Sequence, residues 1–123
     1  MKILIVDNNP KIRGIVKKIL IRQLPQIEVF YEVGNGKEAY KLYSKYLPDW
    51  VLMDIEMEIM DGLTAARKIL KSYPHAKIII ISQYDSDEYY QSAQEIGACC
   101  FINKEDLYQI PEKINNNNQL EKY

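Results

Sequence analysis

The chain has 123 residues, with 16 Lys and Arg against 17 Asp and Glu, and a formal net charge of −1. This length is typical of one domain, and the balanced charge argues against direct nucleic-acid binding, which usually requires a basic patch. No apolar run approaches the roughly 18 residues of a membrane-spanning helix, and the N-terminal apolar run is too short for a signal peptide. We therefore expect a cytoplasmic protein that is not attached to a membrane. Cys99 and Cys100 are expected to be buried apolar residues in a reducing compartment.

Five short apolar runs, rich in Ile and Val, predict the strands of a parallel sheet. Most of these runs do not alternate with polar residues, which is typical of strands that are buried on both faces. The second run is more mixed in composition and predicts a strand at the edge of the sheet. In chain order, the predicted strands are Ile3–Val6, Ile27–Val33, Trp50–Met53, Lys77–Ile81 and Cys99–Ile102.

Helical patterns lie between these runs, so that strands and helices alternate along the chain. Asn35 and Glu38 have the spacing of a capping box at the start of the second helix. Asp85 and Glu88 repeat this spacing before the fourth helix, which Gly97 is expected to cap at its C-terminus. In chain order, the predicted helices are Pro10–Leu24, Asn35–Leu47, Gly62–Tyr73, Asp85–Ile96 and Asp106–Asn115, the last of them split by Pro111.

Alternation of this kind predicts an α/β fold, because helix-sized connections join parallel strands through right-handed crossovers. We expect a doubly wound (βα)5 three-layer sandwich that forms one domain over residues 1–115. Residues 116–123, which contain several Asn and few apolar residues, are expected to form a flexible C-terminal tail.

Polar side chains that could carry chemistry follow four of the predicted strands. Asp7 follows the first strand, Asp54 the third and Ser82 the fourth, and Lys104 comes shortly after the fifth. In an open α/β sheet, ligands bind at the carboxyl ends of the strands, where the strand order reverses. A single acid after a strand is commonly a solvated turn residue. Two acids, a hydroxyl and an ammonium group at one edge predict a functional site.

The sequence resembles the receiver domain of two-component response regulators over residues 1 to about 115. The matching stretches are ILIVDNNP, VGNGKEAYKL, WVLMDIEMEIMDGLTAARKI, IIIISQYDS and GACCFINKEDL. The pattern MDxxMxxMDG, followed some fifty residues later by a Lys, is highly specific for this family. The resemblance implies the strand order 2-1-3-4-5, which brings Asp7 next to Asp54.

The resemblance implies a phosphorylation site at Asp54. A sensor histidine kinase or a phosphotransfer protein would donate the phosphoryl group, and Lys104 and Ser82 would contact its oxygens. The resemblance also implies a Mg²⁺ ion held by Asp7, Asp54 and the backbone carbonyl of Glu56. The protein would take part in its own phosphotransfer and dephosphorylation and would not be a turnover enzyme.

The resemblance further implies a conformational switch. In this family, the hydroxyl residue and an aromatic residue move after phosphorylation, and these are Ser82 and Phe101 in this sequence. Their movement would alter the face formed by the fourth helix, the fifth strand and the fifth helix. The resemblance is compatible with a homodimer that forms on activation.

At several positions the sequence departs from the family pattern. Asn8 replaces the second acid after the first strand, and its neutral amide oxygen predicts weakened Mg²⁺ binding. Gln83 replaces a small residue, and it either narrows access to the site or points to solvent. Glu56 and Tyr84 occupy variable positions and are expected to modulate the lifetime of the acyl phosphate. A second hypothesis is therefore a pseudo-receiver, a protein-binding module that acts without phosphorylation.

Other classes of protein lack their motifs in this sequence. There is no glycine-rich phosphate loop, no GxSxG and no CxxC, and His75 is predicted at the surface, away from the site. GLTAARKI and the FINKEDL stretch resemble receivers that precede a helix-turn-helix domain involved in transcription regulation. A chain of this length leaves no room for such a domain, so a further domain or a separate protein is expected to be the downstream effector.

Overall fold

The computed structural model describes residues 1–116, which form five strands and five α-helices in strict alternation, with a 3₁₀ helix before the last α-helix. The elements are β1 (Lys2–Val6), α1 (Pro10–Gln23), β2 (Val29–Val33), α2 (Gly36–Tyr46), β3 (Trp50–Asp54), α3 (Gly62–Ser72), β4 (Ile78–Ser82), α4 (Asp87–Ile96), β5 (Cys100–Asn103), the 3₁₀ helix (Lys104–Gln109) and α5 (Ile110–Asn115). The predicted tail, residues 116–123, lies outside the described residues except for Asn116.

The strands form one parallel sheet in the order β2-β1-β3-β4-β5, which confirms the predicted topology. Val6 pairs with Met53, and Asp54 pairs with Ile81, so β1, β3 and β4 end at the same edge of the sheet. β2 lies at one side of the sheet and is only partly buried, in agreement with its mixed composition. The sheet therefore brings the residues that follow β1, β3 and β4 together.

Two apolar clusters cover the two faces of the sheet and give the molecule its three layers. Ile3 and Ile5 of β1 face the cluster that contains buried residues of α1 and α5. Leu4 and Val6 face the opposite cluster, which contains residues of α2, α3 and α4. Successive side chains of a strand point to opposite faces, so a continuous apolar run supplies both clusters at once. Within residues 1–116, no helix has both the length and the apolar character needed to cross a membrane.

Helix caps agree with the sequence at α2 and differ at α4. The Asn35 side chain accepts the backbone N–H of Glu38, as the capping-box spacing predicts. The prediction that Asp85 opens the fourth helix is wrong. Ser86 is the N-cap, and its hydroxyl oxygen accepts the backbone N–H of Tyr89 at 3.2 Å. Ser86 can satisfy the first turn of the helix as well as an acid can, and this leaves the preceding residue outside the helix.

The segment after β5 also differs from the prediction. The predicted helix over Asp106–Asn115 is a 3₁₀ helix with non-helical backbone at Asp106, followed by α5. Pro111 lies in the first turn of α5, where its missing N–H has no partner to lose, so it starts this helix and does not split it. Gly97 caps α4 with φ of 92°, as expected of a C-terminal glycine.

Candidate functional site

Three buried polar side chains meet at the carboxyl edge of the sheet. Asp7 directly follows β1, Asp54 ends β3 and Ser82 ends β4. Their exposed fractions are 3%, 0% and 0%, and within residues 1–116 they form the complete set of buried polar or charged residues. Burying unpaired polar groups costs free energy, so their concentration at one place identifies this edge as the candidate site.

Lys104 connects the two acids of the site. Its Nζ lies 3.1 Å from Oδ1 of Asp54 and 3.3 Å from Oδ2 of Asp7. The backbone holds this lysine at the first position of the 3₁₀ helix, where the Asn103 side chain accepts the backbone N–H of Glu105. One ammonium group therefore faces two carboxylates, and the pair of acids keeps an excess of negative charge.

The electrostatics of Asp54 reflect this excess charge. Burial and, to a smaller extent, the nearby Asp7 carboxylate raise the pKa of Asp54 to about 6, although the Lys104 ammonium acts in the opposite direction. Burial lowers the pKa of Lys104, but its attraction to Asp54 and Asp7 outweighs this, so the net shift is upward. Apart from the Lys104 ammonium, neither Asp54 oxygen has a hydrogen-bond partner among the described residues. Asp54 is therefore a desolvated carboxylate whose charge is only partly compensated.

Asp7 is held by contacts from the turn that follows it. Its Oδ1 accepts the backbone N–H of Asn9 at 2.8 Å, and the Arg13 guanidinium donates a hydrogen bond to the Asp7 carbonyl. Arg13 is itself fixed by Glu32 of β2, with Nε 3.3 Å from Oε1. Arg13 was not predicted from the sequence, because an arginine in the first turns of a helix carries no distinctive signal. It is a positioning residue for the β1–α1 turn.

Glu56 contributes its side chain to the site as well as its predicted backbone carbonyl. Its Oε2 accepts the Ser82 hydroxyl at 2.9 Å, and its Oε1 accepts the backbone N–H of Gln83 at 3.2 Å. The backbone N–H of Tyr84 donates to the Ser82 hydroxyl oxygen at 3.0 Å. Gln83 and Tyr84 are both exposed residues, and their backbone N–H groups make these contacts. No sequence pattern predicts the Glu56 side-chain contacts, since they depend on the conformation of a loop.

Phe101, the predicted aromatic switch residue, lies half-buried in β5 next to the strand that carries Ser82. Its ring centroid lies 6.0 Å from that of Tyr90 in α4, at an interplanar angle of 58°. Asp85 accepts a hydrogen bond from the Asn103 side chain at 3.2 Å and so connects the segment before α4 to the end of β5. Ser82, Phe101 and α4 therefore form a contiguous region, whereas His75 is exposed before β4, at the opposite end of the strands, as predicted.

The oxygen ligands available at this edge suit a hard divalent cation that takes few ligands from the protein. Among residues 1–116, no group of three His, Cys, Asp or Glu side chains is arranged to hold a metal ion. Asp7 and Asp54 supply two carboxylates, and apart from the Lys104 ammonium the Asp54 oxygens have no hydrogen-bond partners among the described residues. Mg²⁺ commonly takes one or two carboxylates and completes its coordination with water. Asn8 is exposed, and its side chain offers a neutral amide oxygen. A carboxylate at this position would add negative charge to the cation site.

The sheet has buried acids at its carboxyl edge and a lysine between them. Its strand order 2-1-3-4-5 is that of the flavodoxin-like class of doubly wound α/β proteins. The model of the response regulator receiver domain family matches residues 3–115 of the chain. The chain belongs to this family.

Individual relatives agree with this assignment. The transcriptional regulatory protein DegU of Brevibacillus brevis is 34% identical over 105 residues, which cover 85% of this chain and 44% of DegU. The response regulator domain of Thermotoga maritima CheB is 25% identical, with a TM-score of 0.82 over 97% of this chain and 93% of that one. A chain of the CheX–CheY–BeF₃–Mg²⁺ complex of Borrelia burgdorferi is 25% identical, with a TM-score of 0.85 over 93% of this chain and 86% of that one. The chain spans less than half the length of the curated relatives that it matches.

Proposed function

We propose that this receiver domain is a phosphorylation-dependent switch that accepts a phosphoryl group on Asp54. The observation that carries the proposal is the state of the Asp54 carboxylate. It is fully buried at the carboxyl edge of the sheet, and apart from the Lys104 ammonium, 3.1 Å from one of them, its oxygens have no hydrogen-bond partner among the described residues. A carboxylate whose oxygens are not occupied by neutral donors and lie next to a cation is suited to attack an anionic phosphoryl donor.

The reaction balances as a single phosphoryl transfer. One Asp54 oxygen attacks the phosphorus of a phosphohistidine, and the phosphorus–nitrogen bond breaks with its electron pair going to the imidazole, which takes up a proton. An acyl phosphate remains on Asp54, and Lys104 stays close to its oxygens. When bound, Mg²⁺ would neutralise charge on the carboxylates and the phosphoryl oxygens. Asp7, Asp54, the backbone carbonyl of Glu56 and the amide oxygen of Asn8 would hold it.

The partners follow from the chemistry and from the family. A sensor histidine kinase or a phosphotransfer protein supplies the phosphohistidine, and the face of α4, β5 and α5 carries the signal to an effector in the cytoplasm. A transcriptional regulator and a methylesterase are both represented among the longer relatives, so the effector is a further domain or a separate protein of either kind. We include a homodimer among the activated forms. The receiver is modified and restored without turning over a separate substrate, so we do not classify it as an enzyme.

Asn8 favours a second candidate function. Besides the Glu56 carboxylate, which is bonded to Ser82 and Gln83, the described site offers the acids Asp7 and Asp54, and the family usually has a further acid at the position of Asn8. Weak cation binding would leave the charge of Asp54 uncompensated during the attack on an anionic donor. In that case the fold would act as a pseudo-receiver, a binding module whose partner contacts do not depend on phosphorylation.

Intact mass measurement separates the two functions. The protein is incubated with Mg²⁺ and saturating acetyl phosphate or phosphoramidate, and we expect a gain of one phosphoryl group. The Asp54→Asn variant should gain none. Asp87→Asn makes the same change of charge at an exposed position in α4 and should be labelled like the wild type. No gain in the wild type at saturating donor would contradict the phosphorylation switch and support the pseudo-receiver.

A further inference from the structure

Glu56 accepts hydrogen bonds from two donors at the carboxyl end of β4. Each of its carboxylate oxygens accepts one hydrogen bond, from the Ser82 hydroxyl at 2.9 Å and from the Gln83 backbone N–H at 3.2 Å. The Ser82 hydroxyl oxygen also accepts the backbone N–H of Tyr84 at 3.0 Å. The Ser82 hydroxyl therefore uses its single donor on Glu56, and it has none left for another acceptor.

A phosphoryl group on Asp54 would compete for these same donors. Asp54 and Ser82 end neighbouring strands that are in register, since Asp54 pairs with Ile81. A carboxylate and a phosphoryl group are both anionic acceptors that present two oxygens to a pair of donors, and such charge-assisted hydrogen bonds are among the stronger ones in proteins. The half-buried Glu56 carboxylate thus makes the contacts with Ser82 and Gln83 that a phosphoryl group would need.

We propose that Glu56 is an internal competitor of the phosphoryl group, a side chain that must release Ser82 and Gln83 before the modified Asp54 can engage them. This inference rests on the proposed function. The same carboxylate adds negative charge next to Asp54, and this charge repels an anionic donor. Glu56 therefore slows phosphorylation and destabilises the phosphorylated state.

The loop provides a matched pair of variants to test the competition. Glu56→Gln removes the charge and keeps the size of the side chain, and Glu56→Ala removes both hydrogen bonds. Glu58→Gln and Glu58→Ala make the same changes two residues further along, at an exposed position. Labelling by acetyl phosphate with Mg²⁺ is followed by intact mass. We expect both Glu56 variants to be labelled about tenfold faster than the wild type, and both Glu58 variants to be labelled at the wild-type rate.

A second measurement does not depend on phosphorylation. Hydrogen exchange of the Gln83 backbone amide is followed by NMR in metal-free protein. We expect exchange about tenfold faster in Glu56→Ala than in the wild type, because the hydrogen bond that protects the amide is lost. The exchange rate in Glu58→Ala should be unchanged.

The outcomes separate this proposal from the proposed function. Labelling of the wild type with no gain of rate in the Glu56 variants would overturn the competition and leave the phosphorylation switch intact. Unchanged Gln83 exchange in Glu56→Ala would also overturn it, because the contact would then be absent in solution. Labelling of the Glu56 variants but not of the wild type would support the competition, and it would contradict the phosphorylation switch for the wild-type protein, because Glu56 would then block the reaction. Failure of every variant to gain a phosphoryl group would overturn the proposed function and the competition with it.

Discussion

Asn8 is the residue at which this site differs most in charge from the family pattern. A carboxylate attracts a divalent cation more strongly than an amide oxygen does. We expect Asn8→Asp to tighten Mg²⁺ binding by about tenfold, as measured by isothermal titration calorimetry. Calorimetry is preferable to tryptophan fluorescence, because Trp50 lies at the opposite end of β3 from the site. Asn9→Asp adds the same charge one residue later at the N-cap of α1, and an equal gain of affinity there would contradict the prediction.

The raised pKa of Asp54 makes stability depend on pH in a defined direction. Burial raises this pKa from 3.8 to about 6, so the folded state binds the proton more tightly than the unfolded state does. The contribution of Asp54 to the free energy of unfolding is therefore most favourable below about pH 4 and is lost as the pH rises through about 6. Asp54→Asn removes the ionisable group, so the variant does not lose this contribution as the pH rises. Relative to the wild type, the variant should gain about 2 kcal/mol of stability between pH 4 and pH 7.

Urea denaturation of metal-free protein across this pH range measures the difference between the two proteins. Acids remote from the site titrate alike in both proteins and cancel, so the difference reports Asp54 together with its coupling to the charged groups around it. A constant difference across the window would show that the buried carboxylate is not perturbed in this way. A saturating divalent cation should reduce the gain, since it stabilises the charged form of Asp54.

At the scale of elements, the close approach of α3 to the end of β3 positions the site. A Cβ added at Gly62 would lie 1.9 Å from the Asp54 backbone oxygen, so α3 or the strand end would have to move. We expect Gly62→Ala to lower the free energy of unfolding by at least about 2 kcal/mol. Gly14 in α1 is the matched control, since nothing lies within 4 Å of its added Cβ. Gly14→Ala should stabilise the protein by about 0.5–1 kcal/mol, because alanine favours the helix. Similar stability changes of one sign in both variants, measured by urea denaturation, would contradict this account.

Helices and strands were predictable where the sequence pattern that indicates them lies within the element itself. The apolar runs predicted every strand of the sheet, because burial on both faces leaves a continuous apolar pattern in the inner strands and partial burial leaves the mixed pattern of β2. The start of α4 was missed by one residue, since Asp85 and Ser86 are both competent caps and the sequence alone does not rank them. The 3₁₀ helix that holds Lys104 was missed as well, because its short pattern merges with that of α5.

The candidate site was predictable for a different reason, since the parallel sheet places every strand end at one edge. That rule predicts that Asp7, Asp54, Ser82 and Lys104 share one edge, and the strand order that the family resemblance implies places Asp7 next to Asp54. It does not determine how a side chain in a loop is oriented. The contacts of Glu56 with Ser82 and Gln83 depend on the path of the β3–α3 loop, and no local pattern encodes that path.

At the scale of the whole molecule, the near-zero net charge conceals a concentrated charge at one edge of the sheet. The buried acids there lie at the ends of β1 and β3, which belong to both apolar clusters. Ser82 ends the next strand, and Phe101 in β5 packs with α4 in the cluster formed by α2, α3 and α4. Cores of this kind are close-packed, so a change at the strand ends is expected to repack the neighbouring side chains.

This coupling predicts where phosphorylation alters the molecule. With Mg²⁺ and trifluoroberyllate as a stand-in for the phosphoryl group, we expect hydrogen exchange to change in peptides from α4 and β5 and to stay constant in α2. Ser82→Ala should abolish the change in α4 and β5, because the hydroxyl that would follow the phosphoryl group is absent. Ser44→Ala removes a hydroxyl from an exposed position in α2 and should respond like the wild type. An undiminished response in Ser82→Ala would show that the signal does not pass through the end of β4. A response spread evenly over all the helices would instead indicate general stabilisation by the bound ligand, without a switch at α4 and β5.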